Sequence, residues 1–196
     1  MENKIIKFKV TKKESKNYSD VQEHTWILDN QLDIDYVLSH PKFSKFKLAA
    51  TIVKSENAAG FKISLEPEFV NKPFVIYIVV KCSKVLKGGK SKNKLDTRSY
   101  GAGTEKSWTM KGTPSETNYV WSQIFRESLN DGYPITFYGY VVPSSLHTYP
   151  SFDGEIVTEL VAGHYETEEK KLNSLLNSLN GKKVIGEGDL LCKLKK

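Results

Sequence analysis

Residues 118–142, NYVWSQIFRESLNDGYPITFYGYVV, contain a helical pattern that runs directly into a strand pattern. From Trp121 onward, large apolar side chains recur at i, i+3 and i+4, which places them on one face of a short helix. The run 130–132, Asn-Asp-Gly, favours turn geometry and ends that helix. Apolar and aromatic residues then alternate over 134–142, which predicts a strand with apolar groups on both faces.

Other stretches of the chain show the same two-residue alternation. Short strands separated by polar loops, with one brief helix, are typical of an antiparallel β-sandwich. A parallel sheet would need a helix at each crossover, and those helices are not predicted. The sequence therefore predicts a mainly β fold of seven or eight strands. The predicted strands are residues 6–10, 24–28, 46–52, 61–65, 74–82, 106–110, 134–142 and, less regularly, 155–162.

The C-terminal part of the chain differs in character. Glu168 and Glu169 precede a leucine stripe at 172–179, and the Asn-Gly pair at 180–181 is a good helix stop. We expect the stripe to cover the sandwich or to bind a second copy or a partner. The expected domains are a sandwich over 1–142, a linker with an extra strand over 143–166, and a helix and strand over 167–196.

Composition predicts a folded intracellular protein. Apolar residues make up 39% of the chain, with ten Tyr, nine Phe and three Trp, which favours strands.

The first ten residues contain lysines where a signal peptide needs apolar residues, and no apolar run approaches the roughly 20 residues of a membrane helix. The two cysteines, Cys82 and Cys192, lie far apart in sequence. Reduced thiols in the nucleus or cytoplasm are therefore expected.

The net charge is +6, and one segment, 81–98, concentrates cations. Because Gly88, Gly89 and several serines interrupt it, we predict a mobile loop between strands. Three roles remain open for it: a solvated loop, contact with acidic peptide or protein, or contact with nucleic acid. Its cationic residues are Lys81, Lys84, Lys87, Lys90, Lys92, Lys94 and Arg98.

No sequence motif indicates catalysis. The histidines are not spaced as metal ligands, so a structural zinc site is not predicted. The Gly-x-Gly runs at 101–103 and 186–188 lack the residues that complete a phosphate loop. The chain also lacks a nucleophile elbow. The sequence thus predicts no cofactor, no metal and no enzymatic activity. The four histidines are His24, His40, His147 and His164.

Four short motifs occur in the order found in the MATH (meprin and TRAF-C homology) domain. They are WILDN at 26–30, SHPKF at 39–43, FKISL at 61–65 and WSQIF at 121–125. Together they resemble the TRAF-like sandwich of speckle-type POZ proteins over roughly residues 5–142. The helix and residues 189–192 resemble the beginning of the BTB domain that follows in that family.

The resemblance implies a non-enzymatic adaptor that binds extended Ser/Thr-rich segments of other proteins by strand addition, as in substrate selection for ubiquitination. A cullin link would require a BTB domain supplied elsewhere. Self-association through the 172–179 helix is an additional possibility, and neither membrane nor nucleic acid is an expected partner. The alternative hypothesis is a basic, nucleic-acid-associated β-domain acting through residues 81–98. By position in the family, the peptide groove would be lined by Leu65, Tyr77, Trp108, Trp121 and Gln123.

Overall fold

The computed structural model describes residues 5–11, 21–56, 60–95 and 116–184, with side chains for residues 27–56, 60–95, 121 and 124–184. Within these ranges the chain forms nine β-strands and three α-helices. In chain order they are β1 Ile5–Thr11, β2 Val21–Ile27, α1 Ile34–Ser39, β3 Lys47–Lys54, β4 Phe61–Leu65, β5 Val75–Lys81, β6 Lys84–Ser91, α2 Glu116–Asn130, β7 Ile135–Val141, β8 Ser145–Pro150, β9 Ile156–Val161 and α3 Tyr165–Asn180.

A five-stranded antiparallel sheet with the order β4-β3-β7-β5-β6 forms the centre of the molecule. Every residue of β5 is buried, as its continuous apolar sequence predicts. Two hairpins, β1–β2 and β8–β9, form separate two-stranded sheets. The prediction of a β-rich, antiparallel fold is thus confirmed.

Helices cover both faces of the central sheet. On one face, Trp121 and Phe125 of α2 pack with Tyr77 and Phe137 of the sheet. On the other face, α1 and α3 pack with the β5 side chains that point the opposite way, such as Ile78. Among the described residues no second sheet faces the five-stranded one, so the arrangement differs from the predicted sandwich.

The length of α2 explains part of that difference. The helix has 15 residues, and its apolar face extends beyond Trp121, Ile124 and Phe125 to Ser128 and Leu129. It is therefore long enough to cover the sheet face that the sandwich prediction gave to other strands. The predicted strand at 106–110 lies outside the described residues.

Helix α3 begins at Tyr165, two residues before the predicted 167 boundary, and ends at Asn180, followed by Gly181, whose φ of 69° is typical of a left-handed C-cap. Leu172 and Leu176 are buried against the sheet, and Leu175 and Leu179 pack beside them. The leucine stripe therefore covers the protein's own sheet. This packing leaves the stripe unavailable for the predicted self-association.

Strand β6 lies within the segment predicted to be a mobile loop. Its two glycines are buried and allow close approach on both faces of the strand. A Cβ atom on Gly89 would lie 2.8 Å from the Tyr77 hydroxyl oxygen, and one on Gly88 would collide with Asn173 of α3. A two-residue turn at Cys82 and Ser83, with φ of 49° and 62°, joins β5 to β6 and has the type I′ sign pattern. The loop prediction was wrong because the two glycines let Tyr77 and Asn173 pack closely against the strand.

Two further elements were not predicted. Helix α1 follows Asp33, whose side chain accepts a hydrogen bond from the Asp35 backbone N–H as an N-cap. Strand β8 lies in the predicted 143–166 linker and pairs with β9, which matches the predicted 155–162 strand. Within the described ranges, the helices are too short or too polar to cross a bilayer.

Candidate functional site

The structure separates the residues expected to line a groove. Tyr77 is fully buried and Trp121 is 2% exposed, both in the core beneath α2. Leu65 is half-buried on β4, at the opposite edge of the sheet from β6. The Trp108 residue and the Gln123 side chain lie outside the described residues. Tyr77 and Trp121 thus meet in the core rather than in an exposed trough.

A lysine that the sequence placed in a loop lies beside these two aromatics. Lys87 pairs with Val79 of β5 across the ladder and faces α2. The register shifts here, because Val80 pairs with Val85 and Leu86 is left over as a bulge. Bulges commonly redirect a side chain next to a functional site. Here the bulge directs Lys87 towards the helix.

The Lys87 side chain is packed rather than solvated. The residue is 9% exposed, and its Nζ lies 4.9 Å from the centroid of the Trp121 ring. Such cation–π contacts contribute about 0.5–2 kcal/mol, less than the cost of removing an ammonium from water without an ionic partner. The ammonium retains hydrogen-bond donors for an anion.

Two neighbouring lysines, Lys81 and Lys84, differ from Lys87 because each has a carboxylate partner. Lys81 is 1% exposed, and its Nζ lies 2.5 Å from Oδ2 of Asp131. Lys84 Nζ lies 3.5 Å from Oδ2 of Asp33. Among the described carboxylates, none forms an ion pair with Lys87.

Lys90 points to the opposite face of the sheet and contacts α3. It pairs with Glu166 and, at 2.7 Å, with Glu169. Burial lowers the pKa of Lys90, but hydrogen bonds and the negative charges of the two glutamates more than offset this, and the pKa is raised overall. Lys90 therefore holds β6 to α3, and its charge is compensated.

The surroundings of Lys87 are fixed by packing. Lys87 and Gly89 lie two residues apart on β6 and face the same side, since side chains alternate along a strand. The Tyr77 ring fills the space next to Gly89 and contacts Phe137 at a centroid distance of 5.4 Å. A buried aromatic ring, Trp121, therefore contacts an ammonium on the edge strand of the sheet that no described carboxylate neutralises. Such a site suits a phosphate or another anion.

The described acids and histidines do not form a metal site. In the parts of the chain with described side chains, no three His, Cys, Asp or Glu residues lie close enough together to hold an ion.

Comparison with known proteins gives a fold but no family. No protein-family model matches this sequence. No curated protein matches it either. Among solved structures, the restriction endonuclease HPY188I in complex with product DNA matches with a TM-score of 0.50 and 22% identity, over 83% of this chain and 89% of that one. The chain shares the fold of that structure. A mutant of bacteriophage T4 EndoII matches with a TM-score of 0.48 and 18% identity, over 75% of this chain and 96% of that one.

This likeness corrects the functional expectations from the sequence. The MATH resemblance was wrong, since the fold is that of a restriction endonuclease structure. The adaptor role, the ubiquitination link and the Ser/Thr-rich peptide partners depended on that resemblance and are wrong with it. The expectations that the chain is not an enzyme and that nucleic acid is not a partner are also contradicted. The four motifs matched in order, but they did not determine how the strands pair.

Proposed function

We propose that this protein binds DNA and hydrolyses its phosphodiester bonds, with Lys87 contacting the phosphate at the cleaved position. The observation that carries the proposal is Lys87 itself, a nearly buried ammonium that none of the described carboxylates neutralises. Perturbed or uncompensated charges of this kind concentrate at functional sites. The likeness to a restriction endonuclease bound to product DNA supports DNA as the ligand. Fold alone does not determine function, so the argument depends on the site.

The chemistry of phosphodiester cleavage matches a fixed lysine. Hydrolysis forms a bond from a water oxygen to phosphorus and breaks the bond from phosphorus to one deoxyribose oxygen. The water loses a proton to solvent and the leaving oxygen takes one up, while negative charge on the phosphoryl oxygens must be stabilised in the transition state. A preorganised cation in a site with little water stabilises that charge more strongly than a solvated lysine does. The contact with Trp121 and the burial of Lys87, which is 9% exposed, restrict its side chain, so the ammonium is already oriented before substrate binds. We therefore assign Lys87 to binding the phosphate and stabilising the charge on it.

Trp121 has a supporting role in this proposal. Its ring is buried and tilted against Phe125 at a centroid distance of 5.9 Å. The ring face that contacts Lys87 compensates part of the lysine's desolvation without contributing a competing negative charge. A carboxylate in the same place would bind the ammonium and repel phosphate. The aromatic contact thus leaves the lysine available for an anion.

Binding can be tested by the dependence of DNA affinity on salt. We expect duplex DNA to bind with a log–log salt slope of about −0.9 per phosphate contact. Lys87→Met, which keeps an unbranched apolar side chain on Trp121, should weaken binding and reduce the slope by about 1. Fluorescence anisotropy across a KCl series measures both quantities. The melting temperature of the variant reports whether its fold is intact.

Lys171→Met is the matched control, because it removes the same charge from an exposed residue of α3 that pairs with Glu168. We expect this control to bind like the wild type. If both substitutions change the slope equally, Lys87 has no specific phosphate contact. A wild-type chain that does not bind DNA at low salt would contradict the proposal as a whole.

A further inference from the structure

The β8–β9 hairpin exposes an apolar face that nothing else in the described chain covers. All six residues of β8 are exposed, and most of β9 is exposed as well. Leu146 is 71% exposed, Ile156 70% and Leu160 40%, and Phe152 at the tip is completely exposed at 102%. Contiguous exposed apolar groups of this kind are typical of an interaction surface.

The hairpin has little internal support for its own stability. It forms a separate two-stranded sheet and pairs with no other described strand. Isolated two-stranded hairpins are at best marginally stable in water, and more strands or a packed face stabilise them. A partner on the apolar face would supply that packing.

The register of the hairpin makes this face symmetric. Three cross-strand pairs point to one side, in the order Leu146↔Leu160, Thr148↔Thr158 and Pro150↔Ile156. The central threonines hydrogen-bond to each other across the strands at 2.9 Å. An apolar pair therefore lies on each side of a threonine pair. The pattern is the same when it is read from either end.

We propose that this face docks on the same face of a second copy of the chain. A two-fold axis through the Thr148–Thr158 pair places the Leu146–Leu160 pair over Pro150 and Ile156 of the second copy, and the reverse contact follows by symmetry. In an isologous interface one patch is complementary to itself, and the alternation of apolar and threonine pairs has that property. Phe152 then extends beyond the paired faces towards the base of the other hairpin.

The charge distribution also favours protein over nucleic acid as the occupant. The chain has no Lys or Arg from residue 127 to residue 169, although its net charge is +6. The hairpin carries Asp153, Glu155 and Glu159, which would repel phosphate. Glu159 is on the opposite face, where its carboxylate accepts a hydrogen bond from the Tyr149 hydroxyl, and Asp153 and Glu155 lie at the tip beyond the cross-strand pairs. Two copies can therefore meet without bringing like charges together.

Sedimentation velocity of the full chain without DNA tests the proposal. We expect a dimer of twice the 22.2 kDa chain mass at micromolar concentration and a monomer for Ile156→Asp. Tyr149→Asp introduces the same charge on the opposite face of the hairpin and should remain dimeric. A monomeric wild type, a dimeric Ile156→Asp or a monomeric Tyr149→Asp would each overturn the proposal. Because the measurement needs no DNA, its failure would leave the proposed function untouched.

Cross-linking near the axis provides a second test that does not depend on the stability of the variants. Thr158→Cys places a thiol across the interface from its symmetry equivalent. Because face-packed sheets lie about 10 Å apart, too far for a disulfide, a short bismaleimide should link the two thiols into a covalent dimer. Val157→Cys points to the opposite face and should remain uncross-linked, as should the wild type. Equal cross-linking of the two variants would show that a different surface, or no specific surface, brings the copies together.

Discussion

Lys81 on β5 and Lys87 on the adjacent edge strand β6 are both nearly buried, and they differ in what their ammonium groups contact. Asp131 binds Lys81, whereas Lys87 contacts an aromatic ring. The sequence indicates the turn at 130–132 and the apolar face of Trp121, because both follow from local spacing. It does not indicate which lysine receives a carboxylate, since β5 and the turn after α2 are far apart in the chain. The candidate site therefore could not be predicted from the sequence.

The Lys81–Asp131 pair leads to a prediction about stability. Asp131→Ala leaves a buried ammonium without its partner, and we expect the free energy of unfolding to fall by about 2 kcal/mol, since Asp131 itself is partly exposed. Lys81→Met in the same background removes the unpaired charge and should restore most of the loss. Urea unfolding of the single and double variants measures both effects. A double variant no more stable than Asp131→Ala would show that the pair is not the cause.

Strand β6 illustrates what can be predicted for an element. The alternation that identified β3, β4 and β7 reflects one buried and one more accessible face, but β6 is buried on most residues and contains two adjacent glycines. Glycine in a strand indicates either that the strand is weak or that another group packs closely against its backbone. The sequence alone does not distinguish these two cases. The close approach depends on Tyr77 and α3, which are brought to β6 only by the complete fold. The loop prediction for this segment failed for that reason.

We predict that Gly89→Ala destabilises the protein by about 1–3 kcal/mol, as overpacking does. The added methyl group would lie 2.7 Å from the Tyr77 ring, which is held by the core and cannot move away easily. Gly163→Ala is the control, because no atom lies within 4 Å of the added Cβ there. Thermal unfolding of the two variants gives the comparison. Similar melting temperatures would mean that Tyr77 has room to move.

The molecule as a whole is a sheet assembled from distant strands. Strand β7 follows the other four sheet strands in sequence but is inserted between β3 and β5, so the centre of the sheet forms from non-local pairings. The local patterns predicted most of the described strands, a short helix in place of α2 and the amphipathic helix α3, since each element needs one apolar face. They could not predict that helices cover both faces, because a strand and a helix satisfy an apolar sheet face equally well. The MATH resemblance was misleading for the same reason, because its motifs do not determine whether a helix or a second sheet covers the strands.

Cleavage of DNA tests the central claim most directly. In a magnesium-containing buffer, we expect the wild-type chain to convert supercoiled plasmid to nicked or linear product. Lys87→Met should slow this conversion by about 10²-fold or more, the usual effect of removing one group that stabilises transition-state charge, while Lys171→Met cleaves at the wild-type rate. Intact plasmid after incubation with folded wild-type protein, or cleavage by folded Lys87→Met at the wild-type rate, would contradict the account.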